Sequence, residues 1–173
     1  LTDFADAPAQ HMPEDEELVR RLRSAVEALN VRYASTSFYM FHRERRWNPA
    51  EGCWMGWERK RGKLAEFNHL LRGATATSYV VQSGDLSILS GVRYVITLDA
   101  DTVLTRDSAH GLIATLAHPL NRAEFAPDSG RLLSGYTVLQ PRTEVQPASA
   151  NRSLFTKLFA GDAGLDLYTH AVS

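Results

Sequence analysis

The sequence contains a single cysteine, Cys53, among its 173 residues. One cysteine has no partner for an intramolecular disulfide, and such sparse cysteine usage is typical of proteins from a reducing compartment. Cys53 is therefore interpreted as a small apolar residue.

The sequence also lacks an excess of either charge, because 19 lysines and arginines are balanced by 20 aspartates and glutamates. This balance argues against a general surface for nucleic acid or anionic membranes, so any anion-binding site is expected to be local. No window approaches the roughly 18 consecutive apolar residues of a membrane helix, and the first twenty residues show no signal-peptide pattern. The chain as given is expected to be soluble and to bind no nucleic acid.

Apolar residues make up 44% of the chain, which is enough to build the core of one domain. The sequence starts at Leu1 rather than at methionine, and both ends break off within patterned segments. We therefore expect residues 1–173 to be one partial domain, excised from a larger protein.

Helical and extended patterns alternate along the chain. Apolar residues three or four positions apart predict helices over 14–33 and 60–71, and a third helix is predicted over 107–120, stopped by Pro119. Strands are predicted at 1–4, 38–42, 92–98 and 135–141, and the segment 43–63 is predicted to be an ordered loop. This alternation predicts an α/β fold with an open, mostly parallel sheet and helices on both sides.

Two aspartates, Asp99 and Asp101, directly follow the apolar segment 92–98. Ligands of open α/β sheets bind beyond the carboxyl ends of the strands, and residues i and i+2 of an extended segment point the same way. Neighbouring carboxylates repel unless a cation lies between them, and Mg²⁺ is commonly held by one or two carboxylates together with substrate phosphates. The pair thus predicts a divalent metal site. A purely structural role remains equally open, in which the pair, or Thr102, caps the helix that follows.

A second enzyme class also fits these aspartates. The segment VITLDADTVL resembles the first motif of haloacid-dehalogenase-type phosphatases, in which the first aspartate, here Asp99, is a nucleophile. In that family the motif lies on the first strand, whereas here two strand candidates precede it. The phosphatase is kept as an alternative, beside a non-catalytic scaffold domain.

Longer phrases carry a more specific resemblance. The segment Lys60–Leu64, KRGKL, resembles the Lys-x-Gly-x-Leu segment of processive, inverting nucleotide-sugar glycosyltransferases, although Ala65 stands where those enzymes have asparagine. Together with TDFADAP, FHRERRWNPAEGCWMGWERKRGKLAEFN, VRYVITLDADT, AHPLNR, LQPR and LFAGDAGLDLYTHAVS, it resembles the glycosyltransferase region of cyclic β-1,2-glucan synthases nearly end to end.

That resemblance implies a GT-A-like fold, UDP-glucose as donor, Mg²⁺ or Mn²⁺ as cofactor, and inverting transfer to a growing β-1,2-glucan acceptor. Asp101 would bind the metal, and Asp99 would share it or orient the donor sugar. Lys60, at a helix N-terminus, suits the diphosphate anion. By order along the chain Asp3 would contact uracil, and Gln140 and Arg142 follow a predicted strand and could face the same ligand.

The resemblance also bears on what lies outside the chain. An inverting transfer needs a general base, which in related enzymes follows a position equivalent to Ser173; Asp162 and Asp166 are the candidates inside the chain. The parent protein is expected at the cytoplasmic face of the inner membrane, with this chain soluble and inactive on its own. A missing first strand would leave an exposed sheet edge, which predicts a possible homodimer.

The remaining aromatic and histidine residues are interpreted as structural. Trp47, Trp54 and Trp57 could stack on sugar rings, but tryptophans in a long loop more often pack it against the core, and packing is the favoured interpretation. The histidines show no metal-ligand spacing, so no catalytic role is assigned to His42, His69, His110, His118 or His170.

Overall fold

A computed structural model describes residues 1–34 and 37–141 of the chain. The chain divides into two compact units, Leu1–Val95 and a second that begins at Ile96. Each unit is described by itself below.

The first unit alternates short strands with two helices. Its elements are β1 (Thr2–Asp3), α1 (Asp15–Arg32), β2 (Met40–Arg43), β3 (Arg46–Asn48), β4 (Cys53–Met55), α2 (Arg59–Leu71), β5 (Tyr79–Ser83) and a 3₁₀-helix (Leu86–Gly91). The helices predicted over 14–33 and 60–71 and the strands predicted at 1–4 and 38–42 are thereby confirmed to within a few residues. The glycine after α2, Gly73, has a φ of 88°, the left-handed conformation that commonly ends a helix.

Strand β2 is the centre of a three-stranded sheet. It pairs with β1 in parallel and with β5 in antiparallel orientation, and all four of its residues are buried. Phe41 packs edge-on against Phe67 of α2 and Tyr79 of β5, with ring centroids 5.2 and 5.8 Å apart. These three rings anchor α2 to the sheet, since aromatic side chains bury more apolar surface than any others.

Strands β3 and β4 form a hairpin within the segment 43–63, where an ordered loop was predicted. Asn48 stabilises the turn, because its side-chain oxygen accepts from the backbone N–H of Ala50 and its carbonyl accepts from Gly52. Gly52 has a φ of 64°, which suits glycine at this position. The loop prediction was wrong because three-residue strands are too short to show a period-two pattern.

The packing prediction for the tryptophans was wrong for Trp47 and only partly correct for Trp57, which contacts α2 but is half exposed. Trp47 and Trp57 are 51% and 52% exposed, and Trp54 is partly exposed. The hairpin instead buries Met55, which is 1% exposed. Met55 and the tryptophan pair lie on opposite faces of the hairpin, so burying one face leaves the other outside.

The second unit contains α3 (Ser108–Ala117), a 3₁₀-helix (Pro119–Asn121) and a hairpin of β6 (Glu124–Phe125) and β7 (Leu132–Ser134). The helix that Pro119 was predicted to stop is confirmed. The strand predicted at 135–141 was misplaced, because β7 ends at Ser134. Gly135 follows with a φ of 78°, which breaks the extended backbone.

The strand predicted at 92–98 is absent from the described elements. These residues are exposed and pair with none of the described strands. A continuous apolar run is compatible with a buried strand, but a strand also needs a partner, and the run itself does not specify one. In the first unit the buried central position is occupied by β2.

The fold class was therefore correct only at the level of mixed α and β structure. The described sheets are small and mostly antiparallel rather than one open, mostly parallel sheet, and they do not establish a GT-A-like fold. In the part of the chain that the structure describes, none of the helices has the length and apolar character needed to span a membrane.

Candidate functional site

Asp3, at the end of β1, is held by two cations. Its Oδ1 accepts a hydrogen bond of 2.6 Å from Arg43 Nε, and its Oδ2 lies 2.9 Å from Lys63 Nζ. Burial raises the pKa of Asp3, but the hydrogen bonds from Arg43 and Lys63 outweigh it and hold that pKa below its usual value. The sequence-predicted Asp3 and the segment Lys60–Leu64 are thus brought together, through Lys63 rather than Lys60.

Arg43 is the centre of this cluster, and its side chain is fully buried. Besides Asp3 it donates to the backbone carbonyls of Trp57 (3.0 Å) and Arg59 (2.9 Å) and to Glu66 Oε2 (3.2 Å). Buried charges persist when they are paired and hydrogen-bonded, and the planar guanidinium serves several acceptors at once. Arg43 therefore fixes the start of α2 relative to the sheet.

Glu66 completes the cluster from the middle of α2. Its Oε2 accepts from Ser78 Oγ at 2.7 Å, and its Oε1 accepts from the Ser78 backbone N–H and from Thr77 Oγ1. Burial raises the pKa of Glu66, but the hydrogen bonds from Ser78 and Arg43 outweigh it and hold that pKa below its usual value, so the carboxylate stays charged. Both carboxylates of the cluster are therefore anions paired with Arg43.

Two glycines allow the cluster to form. A Cβ on Gly56 would lie 2.9 Å from Cγ of Asp3, and a Cβ on Gly62 would lie 2.8 Å from the ring atom Cε3 of Trp57 and overlap the Trp57 carbonyl. Gly62 is thus the residue that lets Trp57 lie against α2. The central glycine of the KRGKL segment is required for packing.

The start of α2 carries further cations and an irregular backbone. Glu58 and Arg59 have left-handed φ values of 48° and 46°, and no side chain caps the helix. Arg59 binds both Asp6 (2.7 Å) and Glu51 (2.6 Å), while Lys60 is exposed. Arg59 and Lys60 therefore both expose positive charge in the first turn of α2.

Asp99 and Asp101 lie in the second unit, and both are exposed. The carbonyl of Asp99 accepts from the N–H of Thr102 at 3.0 Å, so the two aspartates lie in a turn. Gln140 is also exposed. Arg142, Asp162 and Asp166 lie outside the described residues.

The structure also brings together a set of potential metal ligands that the sequence did not suggest. Carboxylate oxygens of Asp6 and Glu51 and the Cys53 sulfur lie within 4.8 Å of one another. Arg59 already binds both carboxylates, so the negative charge of this group has a resident counter-ion.

Comparison with known proteins identifies a relative of this chain. Over its full length it is 41% identical to cyclic beta-(1,2)-glucan synthase NdvB from Rhizobium meliloti (strain 1021). The chain is homologous to a segment of this glucan synthase. It spans about 6% of that protein's length. No protein-family model matches the sequence.

In this synthase-related segment, sequence reasoning missed Arg43, Glu66 and Ser78. Arg43 ends an aromatic strand and precedes further arginines, so its position resembles the start of a solvated charged loop. Its acidic partners are 40 and 23 residues away, and no local pattern marks such a pair. The available signal was that Asp3 and Glu66 are the single acidic residues of β1 and α2.

Proposed function

We propose that this chain is part of the nucleotide-sugar-binding region of a glycosyltransferase of the cyclic β-(1,2)-glucan synthase type. The observation that carries the proposal is the 41% identity to NdvB along the whole chain. The proposed donor is UDP-glucose, and the proposed acceptor is a growing β-1,2-glucan to which glucose is transferred with inversion. The parent protein is proposed to hold this region at the cytoplasmic face of the inner membrane.

In the second unit, Asp101 is proposed to bind Mg²⁺ or Mn²⁺, and Asp99 to share the metal or orient the donor sugar. Both side chains are exposed, and carboxylate oxygens are the ligands that these hard cations prefer. The donor set therefore fits such a cation, provided that diphosphate oxygens and water supply the other ligands. When bound, the cation would offset the negative charge that develops on departing UDP.

In the first unit, Lys60 is proposed to bind the diphosphate anion. Its position in the first turn of α2 adds the partial positive charge of the helix N-terminus to its own ammonium group. Lys60 is exposed, so an anion can reach it without unpacking the cluster around Arg43. Lys60 would thus bind and orient the leaving group.

Asp3 is proposed to contact the uracil base. Its oxygens already accept from Arg43 and Lys63, but a carboxylate has about four acceptor positions, so a base N–H can still be accommodated. Fixing the carboxylate in advance by two cations would reduce the entropy lost on binding. Gln140 and Arg142 stay predicted as further donor contacts.

Calorimetric titration tests the donor site. UDP-glucose should bind more tightly with Mn²⁺ than without it, and Asp101→Ala should remove the difference. Asp128→Asn, which changes another exposed aspartate of the same unit, is the matched control and should leave the metal effect intact. Equal affinities of the unaltered chain with and without Mn²⁺ would contradict the metal role.

Thermal melts separate the transferase from its alternatives. UDP-glucose with Mn²⁺ should raise the melting temperature, by a stabilisation of about 2.7 kcal/mol at a hundredfold excess over Kd. A haloacid-dehalogenase-like phosphatase would respond instead to Mg²⁺ with beryllofluoride, through Asp99. If a longer chain that includes the flanking sequence responds to neither, the protein is a scaffold and the proposal is wrong.

A further inference from the structure

The exposed face of the β3–β4 hairpin carries two tryptophans side by side. Trp47 and Trp54 are direct cross-strand partners, so their side chains lie on the same face, and their ring centroids are 5.9 Å apart. The opposite face carries Met55, which is 1% exposed. The tryptophan pair therefore faces away from the buried side of the hairpin.

A third extended segment, at Ala7, pairs with the hairpin beside Trp54. Ala7 and Trp54 exchange two backbone hydrogen bonds of 2.9 Å in an antiparallel bridge. Ala7 is buried, and as the bridge partner of Trp54 it lies on the same face. The backbone beneath the pair is thus held by hydrogen bonds between three chain segments.

Burial within the first unit does not account for the position of Trp47, because half of its surface remains in water. All three tryptophans of the chain fall within residues 47–57. Large aromatic side chains concentrated and exposed in one place are typical of binding surfaces. The flat ring and the indole N–H suit a ligand that presents both apolar C–H groups and hydroxyl groups.

We propose that Trp47, supported by Trp54, is a stacking surface for the pyranose rings of a neutral glucan. A glucose residue presents axial C–H groups that pack on an aromatic ring, and its hydroxyl groups stay in contact with water at the rim. This inference rests on the proposed function, which supplies β-(1,2)-glucan as the ligand. It assigns acceptor binding to a face that carries neither of the donor residues proposed in the first unit, Asp3 and Lys60.

Titration of the chain with a linear β-(1,2)-linked glucose oligosaccharide tests this proposal through tryptophan fluorescence. We expect a saturable change, and we expect Trp47→Ala to weaken binding about tenfold, the change that corresponds to about 1.4 kcal/mol. Trp47→Tyr keeps a flat ring and should retain most of the affinity. The melting temperature of Trp47→Ala should stay close to that of the unaltered chain, which separates lost binding from lost folding.

Trp57→Ala is the matched control, because Trp57 is as exposed as Trp47 but lies against Gly62 of α2 instead. It should leave oligosaccharide affinity unchanged. Absence of a saturable response, or equal loss in both variants, would overturn the stacking surface. UDP-glucose titrated into the same preparation distinguishes the two proposals: donor binding without oligosaccharide binding overturns this inference alone, and the reverse contradicts only the proposed donor site.

Discussion

Lys63 Nζ lies 2.9 Å from Asp3 Oδ2, so an ion pair joins the KRGKL segment to the first strand of the chain. The same carboxylate accepts from Arg43, whose side chain is fully buried, whereas Lys63 is partly exposed. The two cations therefore differ in what their removal leaves behind. Loss of Lys63 leaves Asp3 paired with the buried Arg43, whereas loss of Arg43 leaves Asp3 with Lys63 alone and Glu66 without its paired cation.

Arg43→Ala is expected to destabilise the chain severely, by about 3–5 kcal/mol, because it removes a buried cation and leaves Glu66 without its paired charge and Asp3 with Lys63 alone. Lys63→Ala should cost much less, since Arg43 still pairs with Asp3. The free energy of unfolding from urea titration measures both. Arg46→Ala, which removes an exposed pair with Glu44, is the control and should change stability by less than about 1 kcal/mol. Similar small losses in all three variants would show that the buried cluster is not a stability determinant.

Gly62→Ala should destabilise, against the usual effect of this substitution in a helix. Alanine normally improves a helix interior by up to about 1 kcal/mol over glycine, but here its Cβ would collide with Trp57. Overpacking of this kind costs about 1–3 kcal/mol. Gly111→Ala in α3, where no atom lies within 4 Å of the added Cβ, should instead stabilise. Chemical denaturation should therefore show changes of opposite sign in the free energy of unfolding of the two variants.

Acid should weaken the fold through Asp3 and Glu66. The folded-state pKa of each is lowered, so each carboxylate contributes stability above its unfolded value, 3.8 for Asp3 and 4.5 for Glu66. That contribution is lost as the pH falls from these values through the lower folded ones. Urea midpoints recorded from pH 6 downward should decline most steeply there. In the double variant Asp3→Asn with Glu66→Gln the decline should flatten, and an unchanged slope would assign acid sensitivity to other groups.

His42 is expected to add a separate acid-induced loss of stability, which begins at a higher pH than the loss caused by Asp3 and Glu66. Its side chain is fully buried, its Nδ1 lies 2.8 Å from Thr2 Oγ1, and its Nε2 has no hydrogen-bond partner among the described residues. Burial lowers the pKa of His42 below the usual 6.5. The folded chain therefore favours neutral His42, and stability present above pH 6.5 is lost as the pH falls from 6.5 to the lower folded value. NMR titration of the ring protons reports this directly, and a pKa at or above 6.5 would contradict it.

The chain alone is expected to show no glucan synthesis from UDP-glucose, because the general base is predicted beyond Ser173. An assay for β-1,2-glucan with the purified chain checks this, with the full-length parent protein as the positive control. Sustained synthesis by the chain would place the base inside it, and Asp162→Asn and Asp166→Asn would then identify which aspartate acts.

Helices α1 and α2 were predictable from sequence because apolar residues repeat at the helical period, over more than about three turns of α1 and about two turns of α2. Strand β2 was recognisable by its aromatic residues. The hairpin was not, since its strands have three residues each and its signal lies in one turn around Asn48. The strand predicted at 92–98 was wrong for the opposite reason. Its apolar run indicates burial, but whether it pairs depends on strands that are distant in sequence.

The same distinction between local and long-range signals applies to the candidate site. Asp99, Asp101 and Lys60 were selected from local motifs, whose residue types are visible without knowledge of the fold. The cluster around Arg43 was invisible at that level, because each of its bonds spans 14 residues or more. Which charges meet in the interior is decided by strand order and helix placement, and those were the least predictable features of this chain.

The hydrogen bonds of Arg43 join residues at different separations along the chain, which affects the order in which the first unit assembles. Its bond to the Trp57 carbonyl closes a separation of 14 residues, and its bond to Asp3 closes one of 40. By loop-closure entropy the longer contact costs about 0.9 kcal/mol more to form. We therefore expect β2 and the start of α2 to associate first and β1 to dock onto them last. In hydrogen exchange of the folded chain, the amides of β1 should open well before those of β2.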